Sequence, residues 1–596
     1  MREVATAPLP AVSVTGGLTE LVHANAERIP DSVAFRRKTS SGWRPVTARQ
    51  FRDEVVQVAR GLIAAGTRPG DRVVLLASTR YEWTLFDFAI WAVRAVSVPV
   101  YVTSSAEQIE WIVADSGASA ALVETDRHEE LTRDAFTKAG RDAPVWRIDD
   151  AVEELSKAGA AVPESEVHDN RRAAGNSDAA TIIYTSGTTG KPKGCVLTHA
   201  NFLAEAQGAV AALHPLFGKN DAAGASTLLF LPLAHVVGRM IEIGAVWAGV
   251  TLGHTGNVRD AVSDLATFRP TFVLAVPYVL DRIYQGARQK AHSTGKGKIF
   301  DAAVDAAVAH SSTDSPGPLL RLRHAVFDRL VYARLREVFG GRCEYVLSGG
   351  AALSPRLVHL FRSVGVTVLE GYGLTETTST ATMNTPDAFR AGTAGRPLPG
   401  MSIRISGSGD VLIKGPTVFE GYWHDEGATA ESFTDGWFAT GDLGHVDDDG
   451  FLVITGRSKE ILVTSGGKNV SPGVMEDRIT GHPLVGHAVV VGDGRKYVAA
   501  LLTLDHQYFP VWKENAGKSA AATVTDLLDD PDLRVELQAA VDLGNAAVSQ
   551  AESVRRFRVL PVEFTPENGY LTPSLKVKRT VVTEAFTDEV EACYAP

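Results

Sequence analysis

Residues 184–194 read YTSGTTGKPKG, which places three glycines, three threonines, a serine and two lysines in eleven positions. Glycine lets backbone N–H groups approach an anion closely, and Ser and Thr hydroxyls add donors. Lys191 and Lys193 add positive charge, so the composition suits a polyphosphate. An apolar stretch, AATIIY, runs into the loop, and a helical stretch, THANFLAEAQGAVAAL, follows it. Strand, glycine-rich loop and helix make a phosphate-binding context rather than a flexible linker. A Walker A loop needs glycine four residues before the Gly-Lys pair and Ser or Thr after it. Here Thr185 and Pro192 occupy those places, so the phosphates are held by a different geometry.

The elements that must position this loop read as alternating helix and strand. FRDEVVQVARGLIAAG puts Phe51, Val55, Val56, Ala59, Leu62 and Ile63 on one helical face and stops at Gly66. RVVLLAS, VSVPVYV and ASAALVE read as short buried strands, with a helix near residues 83–93. That order predicts mainly parallel sheets covered by helices. Residues 284–340 read as a helical excursion, with LLRLRHAVFDRLVYARLREVFGG as an amphipathic helix ending at Gly340. After Gly400 the texture is β-rich. From about Lys459 a small α+β unit begins, in which VGHAVVVGDGRKYVAALLTLD reads as a hairpin. The fold expected is α/β: a large domain over residues 1–458 with a β-rich subdomain, then a small mobile α+β domain over residues 459–596.

At 596 residues the chain is too long for one core. Hydrophobic residues make up 45% and charged residues 22%, as in soluble globular proteins. The formal net charge of −11 argues against a nucleic-acid surface. Cys195, Cys343 and Cys593 are too far apart in sequence for a disulfide framework or zinc spacing and fit a reducing cytoplasm. The N-terminus lacks the pattern of a signal peptide, and no uncharged run is long enough to span a bilayer. Surface attachment to a membrane stays open, as does the oligomeric state.

Six segments in order resemble the motifs of the adenylate-forming superfamily: YTSGTTGKPKG, LPLAHVVGR, LSGGAALSP, EGYGLTETT, GWFATGDLG and GRSKEILVTSGGKNVSP. The resemblance covers nearly the whole chain and implies ATP, Mg²⁺ and a carboxylic acid as reactants. Thr185, Ser186, Gly187, Thr188, Thr189, Gly190 and Lys193 would hold the phosphates, with Thr185 also in the catalytic set. Glu376 would bind Mg²⁺, and Thr375 the α-phosphate. Tyr372 would stack on adenine, with Gly349, Gly350 and Ala351 along its edge and Gly373 beside it. Asp442 would accept the ribose hydroxyls, Arg457 would reach the ribose, and His235 would wall the acyl carboxylate.

The ending LTPSLKVKR departs from the Gly-Lys found in many members, since Leu575 stands where the glycine would be. Lys576 takes the place of the lysine that bridges carboxylate and α-phosphate, with Lys578 as its rival. The same ending and the helical excursion resemble long-chain fatty acyl-CoA synthetases. Ser465, Gly466, Gly467 and Lys468 would then meet coenzyme A after the small domain turns about Lys459. A fatty acyl-AMP ligase serving a carrier protein, a luciferase-like oxygenase and a non-catalytic nucleotide-binding homologue share the motifs. Glu376 and Lys576 together argue against the last. Acyl chain length is not legible in any motif, because each buried methylene contributes only about 0.8 kcal/mol and tunnel depth sets the limit.

Overall fold

A computed structural model describes residues 2–10, 16–185, 191–218, 224–466, 468–572 and 576–595. Two large sheets dominate it. In the first, of seven strands, Arg72–Leu76, Val96–Pro99, Ala120–Val123 and Val145–Arg147 pair in parallel, and Val96–Pro99 also pairs in parallel with Ala179–Thr185. In the second, of nine, the parallel core is Val33–Thr39, Thr251–His254, Ser226–Leu229, Phe272–Leu274, Tyr345–Ser348 and Thr367–Tyr372. Antiparallel strands close both edges of the second sheet and one edge of the first, so the sheets are mixed. The central parallel strands, such as Arg72–Leu76 and Ala120–Val123, are short, apolar and buried, as sheets covered on both faces require, whereas the strand Val33–Thr39 near the edge is largely polar. The helix Ala48–Ala64 starts at a Thr47/Gln50 capping box and buries Phe51, Val55, Val56, Ala59 and Leu62, while Ile63 is half-buried. The helix Tyr81–Ala92 is buried at every position, which explains its lack of a polar face.

A six-stranded antiparallel sheet forms the β-rich part. Its edge is Arg2–Ala5, which pairs with Ser402–Ile405 across some four hundred residues of chain. Beyond it a smaller unit has its own core, from Val470 and Met475 to Val541 and Val554. There Val485–Val491 and Val498–Leu504 form the expected hairpin, and Val554–Leu560 adds in parallel. The excursion is helical as read, but its last segment is not one uniform helix. Pro318–Phe327 and Ala333–Val338 are α-helical, joined by a π turn at Asp328–Tyr332.

The glycine-rich loop differs from its reading in one respect. No helix begins at its end. Lys193–Thr198 is a strand that pairs antiparallel with Ala179–Thr185, and the helix His199–Ala212 starts only after it. The described residues that flank the loop, Thr185 and Lys193, are therefore partners in an antiparallel pair, and the next described element is a strand and not a helix. Cys195, Val196 and Leu197 supply the apolar run that makes this strand.

Beside the hairpin the core holds a charged cluster that periodicity cannot reveal. Arg239 is fully buried and donates to Asp87, Thr181 and Ser97, with the rings of Trp83, Trp91 and Phe202 around its guanidinium at 5.5, 5.3 and 5.5 Å. Glu242, one turn further along the same helix, is also fully buried. Arg239 serves Asp87, so burial, and then the neighbouring Asp87, push the Glu242 carboxyl up to about 8. The cluster is held as one ion pair beside a protonated acid.

Candidate active site

The site forms where the second sheet, the hairpin and the smaller C-terminal unit meet. The strand Thr367–Tyr372 leads into Gly373, where a Cβ would lie 1.8 Å from the Ser379 carbonyl oxygen. Only glycine fits, and the chain then folds tightly back. A 3-10 turn, Thr375–Thr377, follows, with Thr377 Oγ1 accepting from the Leu374 N–H at 2.8 Å. Thr378 and Ser379 have φ of 53° and 98°, an uncommon conformation for such residues. The Thr378 hydroxyl donates to the Thr417 carbonyl at 2.6 Å, and the Phe419 N–H donates to the Glu376 carbonyl at 2.8 Å. The turn is thus fixed from both sides, and with it the direction of Glu376.

Tyr422 Oη–H donates to Glu376 Oε1 at 2.8 Å. Burial raises the Glu376 carboxyl above its usual range, and the Tyr422 hydrogen bond and Arg457 oppose that rise. Burial, and then the Glu376 charge, push the Tyr422 phenol far up, so it stays a donor. Lys193 Nζ stands 5.4 Å from the Tyr422 ring and 3.7 Å from Asp425. Trp111 braces the loop's exit: its Nε1–H donates to the Pro192 carbonyl at 2.9 Å, and Lys191 Nζ lies 4.1 Å from its ring. Thr185 ends the incoming strand. Ser186, Gly187, Thr188, Thr189 and Gly190 lie outside the described residues.

Tyr372 Oη–H donates to Asp442 Oδ2 at 2.6 Å, and Arg457 Nε approaches Asp442 Oδ1 at 3.0 Å. Asp442 is buried, so its two oxygens are aimed by a phenol on one side and a guanidinium on the other. Gly349 and Gly350 follow the strand Tyr345–Ser348, and Gly350 takes φ of 85°. Their turn, which continues through the exposed Ala351, is tied down where the Leu353 N–H donates to Glu370 Oε1 at 3.0 Å. Burial pushes Glu370 up to about 7.

Lys576 reaches this cleft from the C-terminal unit. Its Cε lies 3.9 Å from where a Cβ on Gly350 would stand. Lys576 keeps solvent contact, yet the crowding of its ammonium by the cleft, and then Arg457, lower its pKa, while Asp442 and Glu460 raise it. Facing it, burial and then Lys576 lower His235 to about 4, so its ring is neutral at pH 7. His235 caps the helix Val236–Ala248, its Nδ1 accepting from the Val237 N–H at 3.2 Å. Lys578 instead sits at the start of the helix Arg579–Ala585. Arg579 anchors the segment: its Nη2 donates to both Glu476 oxygens at 2.6 and 2.7 Å, and its Nη1 to the Val490 carbonyl at 2.7 Å.

Lys191 and Lys193 beside the loop, the two aimed oxygens of Asp442 for a diol, and a lysine in a cleft with a neutral histidine suit transfer of a nucleotide to an anionic acceptor. The family model described as "AMP-binding enzyme" matches residues 22–423, and "AMP-binding enzyme C-terminal domain" matches residues 459–596. The chain belongs to the AMP-binding enzyme family. It is 46% identical over 601 residues to the long-chain-fatty-acid–CoA ligase FadD15 of Mycobacterium bovis, covering 100% of both. Two solved structures share the fold. The A-PCP didomain of a carboxylic acid reductase from Segniliparus rugosus, in complex with AMP, has TM-score 0.74 at 21% identity, over 98% of this chain and 83% of that one. An o-succinylbenzoate CoA synthetase from Bacillus subtilis, in complex with ATP and magnesium, has TM-score 0.67 at 22% identity, over 94% and 98%.

Among the described residues of this AMP-binding enzyme no cluster of three or more His, Cys, Asp or Glu could cage a metal. Glu376 alone fits Mg²⁺, which takes one or two carboxylates and completes its shell with substrate phosphates and water. The coenzyme A candidates stand elsewhere. Ser465, Gly466 and Lys468 lie at the turn between Leu462–Val463 and Asn469–Val470, and Lys468 pairs with Glu552 of its own unit at 3.2 Å. Gly467 is outside the described residues. Lys459 is exposed on the 3-10 turn Ser458–Glu460 that joins the two parts. Sequence reading passed over Tyr422, Glu370, Asp425 and Trp111. Each acts on the site through a tertiary contact, and only the aromatic pair in GYW gave any local signal.

Proposed function

We propose that the chain ligates a long-chain fatty acid to coenzyme A in two steps at this one cleft. The observation that carries the reading is the 46% identity to a long-chain-fatty-acid–CoA ligase, which covers 100% of both chains. In the first step a carboxylate oxygen bonds to the α-phosphorus of ATP, the bond to the β-phosphate oxygen breaks, and pyrophosphate leaves. The reactants repel: one pair of like charges 4 Å apart costs about 4 kcal/mol at an effective dielectric of about 20. Lys576 offsets this where the charge develops. His235, being neutral, walls the carboxylate without competing for it. Thr185, the loop hydroxyls and Lys193 hold the phosphates, Thr375 meets the α-phosphate, Tyr372 and residues 349–351 hold the base, and Asp442 with Arg457 holds the ribose. Glu376 would hold Mg²⁺, which when bound would neutralise phosphate charge.

In the second step the small domain, residues 459–596, turns about Lys459 and brings Ser465, Gly466, Gly467 and Lys468 to the cleft. The coenzyme A thiol gives up its proton, its sulfur bonds to the acyl carbon, the acyl–phosphate bond breaks, and AMP leaves. Three buried free cysteines and the fatty substrate support a cytoplasmic enzyme working peripherally at a membrane surface. No helix among the described residues is long and apolar enough to cross one. Release of AMP with a panel of fatty acids, with and without coenzyme A, tests the reading. Turnover should require coenzyme A and favour long chains. A single burst of pyrophosphate without coenzyme A-dependent turnover would mark a ligase that serves a carrier protein.

A further inference from the structure

The helix Pro318–Phe327 has no buried residue. Its inward side is held by His324, which stacks on His310 with ring centroids 4.1 Å apart and hydrogen-bonds the Ser363 carbonyl at 2.9 Å. Its outward side carries Leu319, Leu322 and Val326, and the π turn adds Leu330; they are 72%, 63%, 50% and 52% exposed. Steps of three, four and four residues put the four on one stripe. A continuous exposed apolar stripe on a folded protein marks an interaction surface.

The charge beside the stripe says what kind. Residues 318–336 contain five arginines and a single aspartate, in a chain whose formal net charge is −11. The aspartate, Asp328, is occupied by Arg336 at 2.6 and 3.1 Å. Helical spacing sets Arg323 along one border of the stripe, Arg329 lies in the π turn beside Leu330 and Arg334 just beyond it, and all three are exposed. An apolar face bordered by arginines is the pattern of a helix lying in a bilayer interface, with its leucines among acyl chains and its guanidinium groups at anionic headgroups. A two-fold contact with a second copy would instead set each arginine border against its own like charge.

We propose that the helix Pro318–Phe327 and the following π turn dock this enzyme on an anionic lipid surface, through Leu319, Leu322, Val326 and Leu330 with Arg323, Arg329 and Arg334. The proposal rests on the reading that the enzyme works at a membrane. It gives that reading a location: none of the docking residues is among those that form the catalytic cleft.

Flotation of the full chain with vesicles of phosphatidylcholine alone, or mixed with phosphatidylglycerol, tests it. Wild type floats with the anionic vesicles, and less at high salt. Leu322→Glu/Val326→Glu lowers that binding at least tenfold. Arg323→Gln/Arg329→Gln lowers it about fivefold per arginine on anionic vesicles and leaves the weak binding to neutral ones unchanged. Ligase activity with fatty acid supplied on albumin stays at the wild-type level in both variants and reports that they are folded. If the glutamate variant loses that activity, the arginine variant, which changes only exposed charge, decides. Wild type that floats with neither vesicle overturns the proposal together with the membrane reading. Wild type that floats equally with both variants overturns the docking face alone. A change from dimer to monomer in the glutamate variant, with flotation intact, assigns the stripe to a second copy and overturns the proposal as well.

Discussion

Tyr422→Phe separates the electrostatic account of Glu376 from a structural one. The ring would stay, with its edge-to-face contact to Phe419 at 4.8 Å and Lys193 above it. Only the hydroxyl that donates 2.8 Å to Glu376 goes. A hydrogen bond to a charged group contributes about 1.5 to 3 kcal/mol, and about 1.4 kcal/mol is a factor of ten. Glu376 is already raised by burial, and its ionised form loses one of the three interactions that oppose that rise, the others being its own backbone N–H and Arg457. Ionised Glu376 is the form that would bind Mg²⁺. The variant should therefore need about ten- to a hundredfold more Mg²⁺–ATP for half-maximal pyrophosphate exchange near neutral pH. The deficit should shrink as pH rises and the carboxyl ionises. Conversion of supplied acyl-adenylate to acyl-CoA, which involves no pyrophosphate, should be unchanged. An equal loss in both half-reactions, or a deficit independent of pH, would refute the reasoning and leave Tyr422 a packing residue.

Glu376→Gln should likewise weaken pyrophosphate exchange far more than the binding of acyl-adenylate, measured by competition. Glu242 predicts a pH-dependent stability. Its pKa rises from 4.5 unfolded to about 8 folded, so the folded state holds an extra proton between these values. Stability is greatest below the lower value and falls by about 1.4 kcal/mol per pH unit as pH rises towards the upper one. Thermal unfolding of Glu242→Gln should lack that fall and gain on wild type progressively from pH 4.5 to about 8, whereas parallel profiles would show that the acid is ionised in the core. Lys459→Pro fixes φ at the joint. It should spare pyrophosphate exchange and sharply slow thioester formation on the same folded preparation, and a parallel loss removes Lys459 as the hinge.

The sheet strands, the cores of both domains and the spacing of the nucleotide motifs were legible because they depend on local pattern. Alternating apolar runs and glycine stops locate Arg72–Leu76 or Ala48–Ala64 with no knowledge of their neighbours. What the sequence hid depends on contacts between distant segments. Arg2–Ala5 is a strand only because Ser402–Ile405 offers it an edge. The hairpin return Lys193–Thr198 read as loop because its pairing partner, not its length, makes it a strand. Motif spacing named Glu376 and Asp442, but not the Tyr422 and Tyr372 hydroxyls that hold them, since those bonds join strands far apart in the chain. Arg239, inside a recognisable motif, gave no sign of the fully buried acid pair around it.

The central claim is that one cleft runs two half-reactions, and that Lys576 serves only the first. Lys576→Ala, with Lys578→Ala as its companion, tests it directly when both half-reactions are timed on the same preparations. The account predicts that Lys576→Ala slows adenylate formation by about 10²- to 10³-fold, as for loss of one preorganised donor, while thioester formation from supplied acyl-adenylate proceeds near the wild-type rate. Lys578→Ala should leave both near wild type. Loss of the first half-reaction in Lys578→Ala instead, or equal loss of both in Lys576→Ala, would contradict it.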